Sequence, residues 1–468
     1  MSVSVPRSWV VINVLLGTLT VSLSNSSLNP ALPTFMEAFR IGPLLATWIV
    51  AGFMTSMGMT MPLTSFLSQR IGRKRLYLWG VALFVGGSLL GALASSIALV
   101  ITARVVQGVA SGLMIPLSLA IIFSVYEKHE RGRVTGLWSA AVMLAPALGP
   151  LCGSLLLEWF SWRSLFLMNV PIGLLALLLG IGVLPDSEPV ERKPFDLVGY
   201  LLIASGIGLL MIAISRMHHA EALFDPFNQG MVLVAVACLI AFVRVELRRE
   251  APLLNLRLFN LRGYRLSVII AVVQSVGMFE CLVLLPLLVQ TVLGYNPIWT
   301  GLALLCTAAF ASLFGQWGGK ALDRHGPRTV VAIGLLLTGL STLALGMLNA
   351  NASIGVVFVL MMLRGAGLGL SYMPVTTAGL NALPEPMVTQ GAAMNNISRR
   401  LVASLAIVIA SLWLEFRLNT AGTLATPSAI SEVFMVTGLL ILLALPCAWR
   451  FPLNDERAEA QPDAVEPR

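Results

Sequence analysis

Apolar residues come in blocks of twenty or so along the whole 468-residue chain, each closed by polar or turn-forming residues. A helix rises about 1.5 Å per residue and the hydrocarbon core of a bilayer is about 30 Å thick, so such a block reads as a membrane-spanning helix. Segmentation predicts fourteen spans, at 9–28, 44–66, 76–95, 97–123, 134–157, 162–184, 198–215, 229–247, 264–288, 298–318, 329–349, 353–380, 389–414 and 431–451. An even number places both termini on one side of the membrane. No intervening segment is long enough to fold as a soluble domain, so the chemistry lies within the membrane. The first block, with Arg7 before it and small residues after it, has the outline of a secretory signal. The chain continues in the same manner, however, and the block reads as an uncleaved first span.

Charge refines the topology. Only 11% of residues are charged, against about 25% in a soluble domain. The net charge of +8 does not imply a nucleic-acid partner, because the basic residues sit in short segments between apolar blocks. They crowd SQRIGRKR (68–75), YEKHERGR (126–133), ERKPFD (191–196), the segment after the eighth span, GKALDRHGPR (319–328) and the tail, whereas the opposite segments carry only Arg40, Arg163, Arg216 and Arg417. The positive-inside rule puts the crowded side and both termini in the cytoplasm.

Candidate chemistry is sparse. Cys152, Cys238, Cys281, Cys306 and Cys447 all fall in apolar blocks without a CxxC pair, which argues against disulfides and metal alike. His218 and His219 have no third ligand nearby, and no GxxxxGK[ST] phosphate loop occurs. Neither a metal site, a cofactor nor an enzymatic constellation is predicted. Charge within a span costs about 2.5–3.5 kcal/mol on insertion scales and marks functional candidates. Glu280, in VGMFECLVLLP, is the only acidic residue deep in a span. Desolvation disfavours a charged carboxyl, the property a reversible proton carrier needs; a carboxylate holding an arginine for structure is the alternative. Arg104, Arg364, Arg399 and Arg400 are the intramembrane cations. On a helix Arg399 and Arg400 point about 100° apart, which places Arg399 inward and Arg400 nearer the cytoplasmic headgroups or a neighbouring helix. The first span ends in a polar stretch containing Ser24 and Asn25, which either lines a cavity or forms the exit to the outer loop.

Two cytoplasmic segments match. Arg70, Gly72 and Arg73 in SFLSQRIGRKR resemble Arg324 and Gly326 in GKALDRHGPR, which also holds Gly319 and Asp323, at an offset of 254. Gln107-Gly108 with Pro116 resembles Arg364-Gly365 with Pro374 at an offset of about 257. Such a pair of offsets suggests a duplicated bundle with its site between the halves near the midplane. The predicted organisation is a six-helix bundle at 1–184, an inserted helix pair at 185–263, a second six-helix bundle at 264–451 and a cytoplasmic tail at 452–468.

These elements resemble the major facilitator superfamily over essentially the whole chain, and in particular its fourteen-spanner drug:proton antiporter branch, the EmrB/QacA-like group. SFLSQRIGRK resembles the family's loop motif GxLADRxGRK, with Gln69 where the family has an acid. ITARVVQGVASGLMIP resembles the fourth-span motif, which implies a coupling role for Arg104. NISRRLVAS resembles a thirteenth-span pattern and carries its arginine onto Arg399. LAPALGPLCGS resembles the fifth-span antiporter motif: Ala141, Ala145, Gly149 and Gly153 form a smooth stripe every four residues, while Pro146 and Pro150 bend the helix. The resemblance implies a hinge and seal between the halves. The first span reads LSNSSLNPALP (23–33), with Ser24 where the family commonly has Asp; by the repeat offset its mate lies near Glu280.

The resulting expectation is an all-α major facilitator fold in a bacterial cytoplasmic membrane, exporting lipophilic drug-like molecules against protons by alternating access. A proton-linked metabolite carrier on the same fold is the alternative. Proton coupling is expected of Glu280 and Arg104, and cavity lining of these two together with Ser24, Asn25, Gln107, Arg364, Asn395 and Arg399. The partners expected are the bilayer, protons and an amphiphilic substrate. The short segment after the thirteenth span argues against a periplasmic adaptor.

Overall fold

The computed structural model describes residues 6–126, 148–186, 196–216, 225–249, 252–384, 387–421 and 426–451, with the side chains of 65, 215, 319–320, 322–325, 389, 421 and 426 outside the description. Among the described residues the chain is helical and contains no strand. The first half holds α1 (Arg7–Ser27), α2 (Leu32–Phe39), α3 (Pro43–Ile71), α4 (Arg73–Ala92), α5 (Ile97–Val125), α6 (148–159), α7 (Ser164–Leu167) and α8 (Asn169–Val183). The inserted pair is α9 (Leu197–Arg216) and α10 (Pro226–Arg248). Then follow α11 (Arg262–Pro286), continued by a π turn over Leu287–Val292, α12 (Pro297–Gly346), α13 (Ile354–Leu380), α14 (Val388–Ala421), α15 (Thr426–Leu443) and α16 (Leu445–Trp449).

Thirteen described stretches are long and apolar enough to cross a bilayer. The fifth predicted span is described only as α6, so Ala141, Ala145 and Pro146 lie outside the described residues. Together they give the fourteen-helix arrangement. Its outward faces are apolar, as a lipid-facing surface must be: Trp79 is 65% exposed, Leu178 68% and Leu233 71%.

Three elements differ from the sequence expectation. The segment after the first span is partly helical, because Leu32 and Phe35 of α2 are buried, Phe35 beside the rings of Phe39 and Trp162. The predicted loop at 319–328 continues the helix of the tenth span, and α12 breaks only at Gly326 (φ 71°, ψ 174°). Pro327 disfavours helical backbone in the residue before it, and glycine alone takes that positive φ without strain. The thirteenth span is longer than 389–414, running on to Ala421 as α14.

The duplication is visible in the backbone. Gly72, between α3 and α4, has φ 86° and ψ 149°, close to the conformation of Gly326 at the offset of 254. A Cβ on Gly108 of α5 would lie 2.5 Å from the Phe53 carbonyl oxygen of α3, and one on Gly365 of α13 would lie 2.3 Å from the Thr307 carbonyl oxygen of α12. One turn on, Gly112 faces the Met57 carbonyl at 2.7 Å and Gly369 the Ala311 carbonyl at 2.5 Å. Contacts so short leave no room for any side chain, so glycine at these positions sets how closely the two helices of each pair approach.

The halves meet along α3 and α14, where Thr47 Oγ1 and Ser411 Oγ lie 2.5 Å apart and Thr55 donates to Ser404 at 3.0 Å. At the end of the molecule that carries residues 28–42, Gln290 of the π turn donates to the Pro30 carbonyl at 2.9 Å. By contrast α5 and α13, the matching fourth helices of the two halves, share no packed stretch. Among the described residues the halves therefore meet along α3 and α14, as far as Gly58 against Leu401, and at the end that carries residues 28–42. The inserted pair packs on itself and on α14. Its ends are tied by an Arg249–Asp196 ion pair of 2.7 Å and by Glu246, which accepts from the Leu254 amide at 2.9 Å.

Candidate functional site

Each half buries a polar cluster around its fourth helix. In the first, Arg104 is fully buried on α5, which runs from a Ser96 cap through a continuous apolar sequence into the core. Its Nε donates to the Ile49 carbonyl at 2.9 Å, and Nη1 donates to Gln107 Oε1 at 2.9 Å and to Ser24 Oγ at 3.4 Å. The guanidinium lies over the Phe53 ring, 4.1 Å from its centroid. Gln107 in turn donates to Ser88 of α4 at 2.9 Å. Ser24 and Gln107 are thus packed inside the first bundle, while Asn25 is only partly buried.

In the second half, Arg364 of α13 is 2% exposed; its Nη2 donates to the Gly277 carbonyl at 2.5 Å and its Nε to Thr342 Oγ1 at 3.3 Å. Glu280, 7% exposed on α11, accepts a hydrogen bond from Thr437 of α15, and the Arg364 guanidinium bears on it electrostatically. The sequence identified Glu280 and Arg364 separately. Thr437, 157 residues away, had no signal in the pattern except as a hydroxyl in an apolar span. Desolvating this carboxyl costs free energy that its donor and nearby cation offset in the ionised form, while protonation removes the cost altogether. The arrangement can hold either state.

Asn395 and Arg399 sit on α14. Asn395 is 1% exposed with its Oδ1 unpartnered. Arg399 stacks on the Tyr372 ring of α13, 4.6 Å from the centroid, and its Nη2 donates to Asn396 Oδ1 at 2.6 Å. Arg400 lies where α14 meets α3, its Cβ 3.7 Å from where a Cβ on Gly58 would be.

The described part of the fifth span, α6, lies between the halves, with Gly149 and Gly153 of the stripe turned to α1. A Cβ on Gly149 would fall 1.8 Å from Ser26 Oγ, and one on Gly153 would fall 2.0 Å from the Ser27 carbonyl oxygen, so α6 rides directly on the backbone of α1. Its other side meets Gly301 of α12, where an added Cβ would lie 2.7 Å from the Pro150 carbonyl oxygen and 2.3 Å from Ser154 Oγ. In the matched loops, Arg70 is exposed with its guanidinium 4.5 Å from the Phe66 centroid, Arg73 opens α4, and Gly319, Asp323 and Arg324 are placed only as helical backbone of α12. Among the described residues no three His, Cys, Asp or Glu side chains gather as metal ligands.

The model of the Major Facilitator Superfamily matches residues 14–407. The chain belongs to the major facilitator superfamily. Among its relatives it is 29% identical to the "Multidrug resistance protein B homolog" of Mycobacterium tuberculosis, covering 85% of this chain and 74% of that one. It is also 29% identical to the "Multidrug export protein EmrB" of Haemophilus influenzae, covering 83% and 77%. Among solved structures, the POT family transporter PepTSo superposes with a TM-score of 0.72 at 16% identity, over 97% of this chain and 99% of that one. As a major facilitator protein, the chain is a multi-pass membrane transporter and not an enzyme.

Proposed function

We propose that this transporter exports lipophilic small molecules across a bacterial cytoplasmic membrane in exchange for protons, by alternating access. Its relatives named for multidrug resistance and export support the substrate class. The observation that carries the coupling is Glu280: a buried carboxyl in the middle of a span, with one hydroxyl donor and one nearby arginine. Such a group changes charge by gaining or losing one proton, and its hydroxyl donor and nearby cation stabilise the ionised form.

With the basic segments placed in the cytoplasm, the contact between Gln290 and Pro30 closes the outward end of the molecule. Gly149, Gly153 and Gly301 then keep α6 wedged between α1 and α12 at the sealed end, and export requires that contact to slide or part. The energy comes from the pH gradient, and the short segment between α14 and α15, residues 422–425, argues against a periplasmic adaptor.

The test is transport by purified protein in proteoliposomes with an imposed pH gradient, screening dyes and common metabolites in parallel. Movement of drug-like dyes that reverses when the gradient is reversed is the expected result. Transport confined to a polar metabolite, or indifferent to pH, overturns the reading.

A further inference from the structure

Two adjacent arginines in the middle of α14 have almost nothing to hold. Arg399 and Arg400 lie eleven and twelve residues beyond Val388, where the helix begins, or about 17 Å along its axis. Arg399 is 9% exposed, so it does not reach out to headgroups. Its guanidinium is fixed in place from two sides, by the Tyr372 ring at 4.6 Å and by the 2.6 Å bond from Nη2 to Asn396 Oδ1. Yet its Nη1 is buried with no partner. Arg400 is partly exposed and, among the described residues, forms neither a hydrogen bond nor an ion pair. The one carboxyl deep in a span, Glu280, is engaged elsewhere by Thr437. Tyr372 itself is held by Ser275 of α11, whose hydroxyl lies 3.4 Å from the phenol oxygen.

Each guanidinium carries five N–H donors in a planar fork. Burying such a charge without a counter-ion is costly. Arg104 and Arg364 each direct a donor at a backbone carbonyl of a neighbouring helix, although Nη2 of Arg104 also has no partner; among the described residues neither Arg399 nor Arg400 donates to a backbone carbonyl. Here one fork is pre-aimed by an aromatic ring and left open, and the second stands beside it at the α14–α3 contact between the halves. We propose that Arg399 and Arg400 form the binding site for the acidic group of an exported organic anion, a lipophilic carboxylate or sulfonate. The inference rests on the export reading and narrows its substrate class. The two side chains leave the helix about 100° apart, so they would take the oxygens of one head group from two sides, with Arg399 as the anchored donor and the unpartnered Arg400 as the second. The location fits the task, because a ligand bound there bridges α14 of one half to α3 of the other. With one proton entering per monoanion leaving, each cycle carries two positive charges inward, so an inside-negative potential drives export as well.

The probe pair is 1-anilinonaphthalene-8-sulfonate and N-phenyl-1-naphthylamine, which share one aromatic body and differ by the sulfonate. Fluorescence titration of the purified full-length transporter gives the affinity for each, without any gradient. The wild type binds the sulfonate, and Arg400→Gln, at the more exposed of the two positions, lowers the ratio of sulfonate to neutral affinity at least tenfold; Arg399→Gln does the same. Arg400→Lys, which keeps the charge and loses the fork, falls between. A wild type that does not bind the sulfonate, or variants in which both probes weaken equally or the ratio holds, overturns the anion site. Proteoliposome transport of the same probes separates the two claims: binding that depends on the arginines without any pH-driven movement of either probe contradicts the export reading and leaves the anion site standing.

Discussion

The two halves of this transporter build the same slot and fill it differently. In the first, Gln107 donates to Ser88; in the second, Arg364 donates to Thr342, at offsets of 257 and 254 along the chain. One turn before Gln107, Arg104 faces the hydroxyl of Ser24, whereas the cation of the second half stands near the carboxyl of Glu280. The duplication has kept a polar clamp between neighbouring helices on both sides and a carboxyl on only one. A proton arriving at Glu280 raises the charge beside Arg364 by one, whereas the slot around Arg104 in the first half has no carboxyl to protonate. Alternating access needs some difference between halves that a proton can act on, and this is the most direct one in the molecule.

Several substitutions break or sharpen that contrast. The largest effect is expected of Arg364→Met, which removes the bonds to Gly277 and Thr342 and leaves Glu280 without its cation. Removing one partner of a buried charge pair costs up to about 3–5 kcal/mol, read as a fall in the thermal midpoint of the purified protein. Adding Glu280→Gln should recover part of it. Arg104→Met orphans no carboxylate and should cost less, about 1–3 kcal/mol for unpaired acceptors; a larger loss there than at Arg364 would undo the comparison. Next comes a gain: Ser24→Asp in a Glu280→Ala protein places an acid beside Arg104 and should restore proton-linked transport severalfold over the Glu280→Ala background. No recovery at all would show that the two slots are not interchangeable. Where the halves are alike they should respond alike, so Gly72→Ala and Gly326→Ala should each cost about 1–3 kcal/mol, because both glycines hold backbone that side chains avoid. The smallest effect is Ser88→Ala, about 1 kcal/mol for one lost hydrogen bond, with transport unaltered in its pH response.

Much of the fold was legible because the bilayer imposes a length and a hydropathy on every helix. The offset of 254 between Arg70-Gly72 and Arg324-Gly326 was also readable, and the matched φ and ψ of Gly72 and Gly326 give it a physical cause. Further repeats, Gly108 and Gly112 against Gly365 and Gly369, were present in the sequence and carry the close helix packing of both halves. What periodicity could not supply was partnership. Nothing local says that Thr437 serves Glu280, that Gln107 is clamped to Ser88 rather than open to a cavity, or that Gly301 presses on Pro150 from the other half. These contacts join residues far apart in the chain through helices whose apolar faces all look alike, since lipid and core are equally apolar. The helical run through 319–325 was missed for a related reason: its polar residues signalled a loop, whereas the first true breaker is Gly326.

The central claim is that Glu280 is the group that exchanges the coupling proton. Proteoliposomes holding wild type or Glu280→Gln protein can be loaded with a transported dye and followed both under a pH gradient and by gradient-free exchange. The account predicts that Glu280→Gln loses gradient-driven accumulation at least tenfold while dye-for-dye exchange persists. Full gradient-driven accumulation by Glu280→Gln would contradict it.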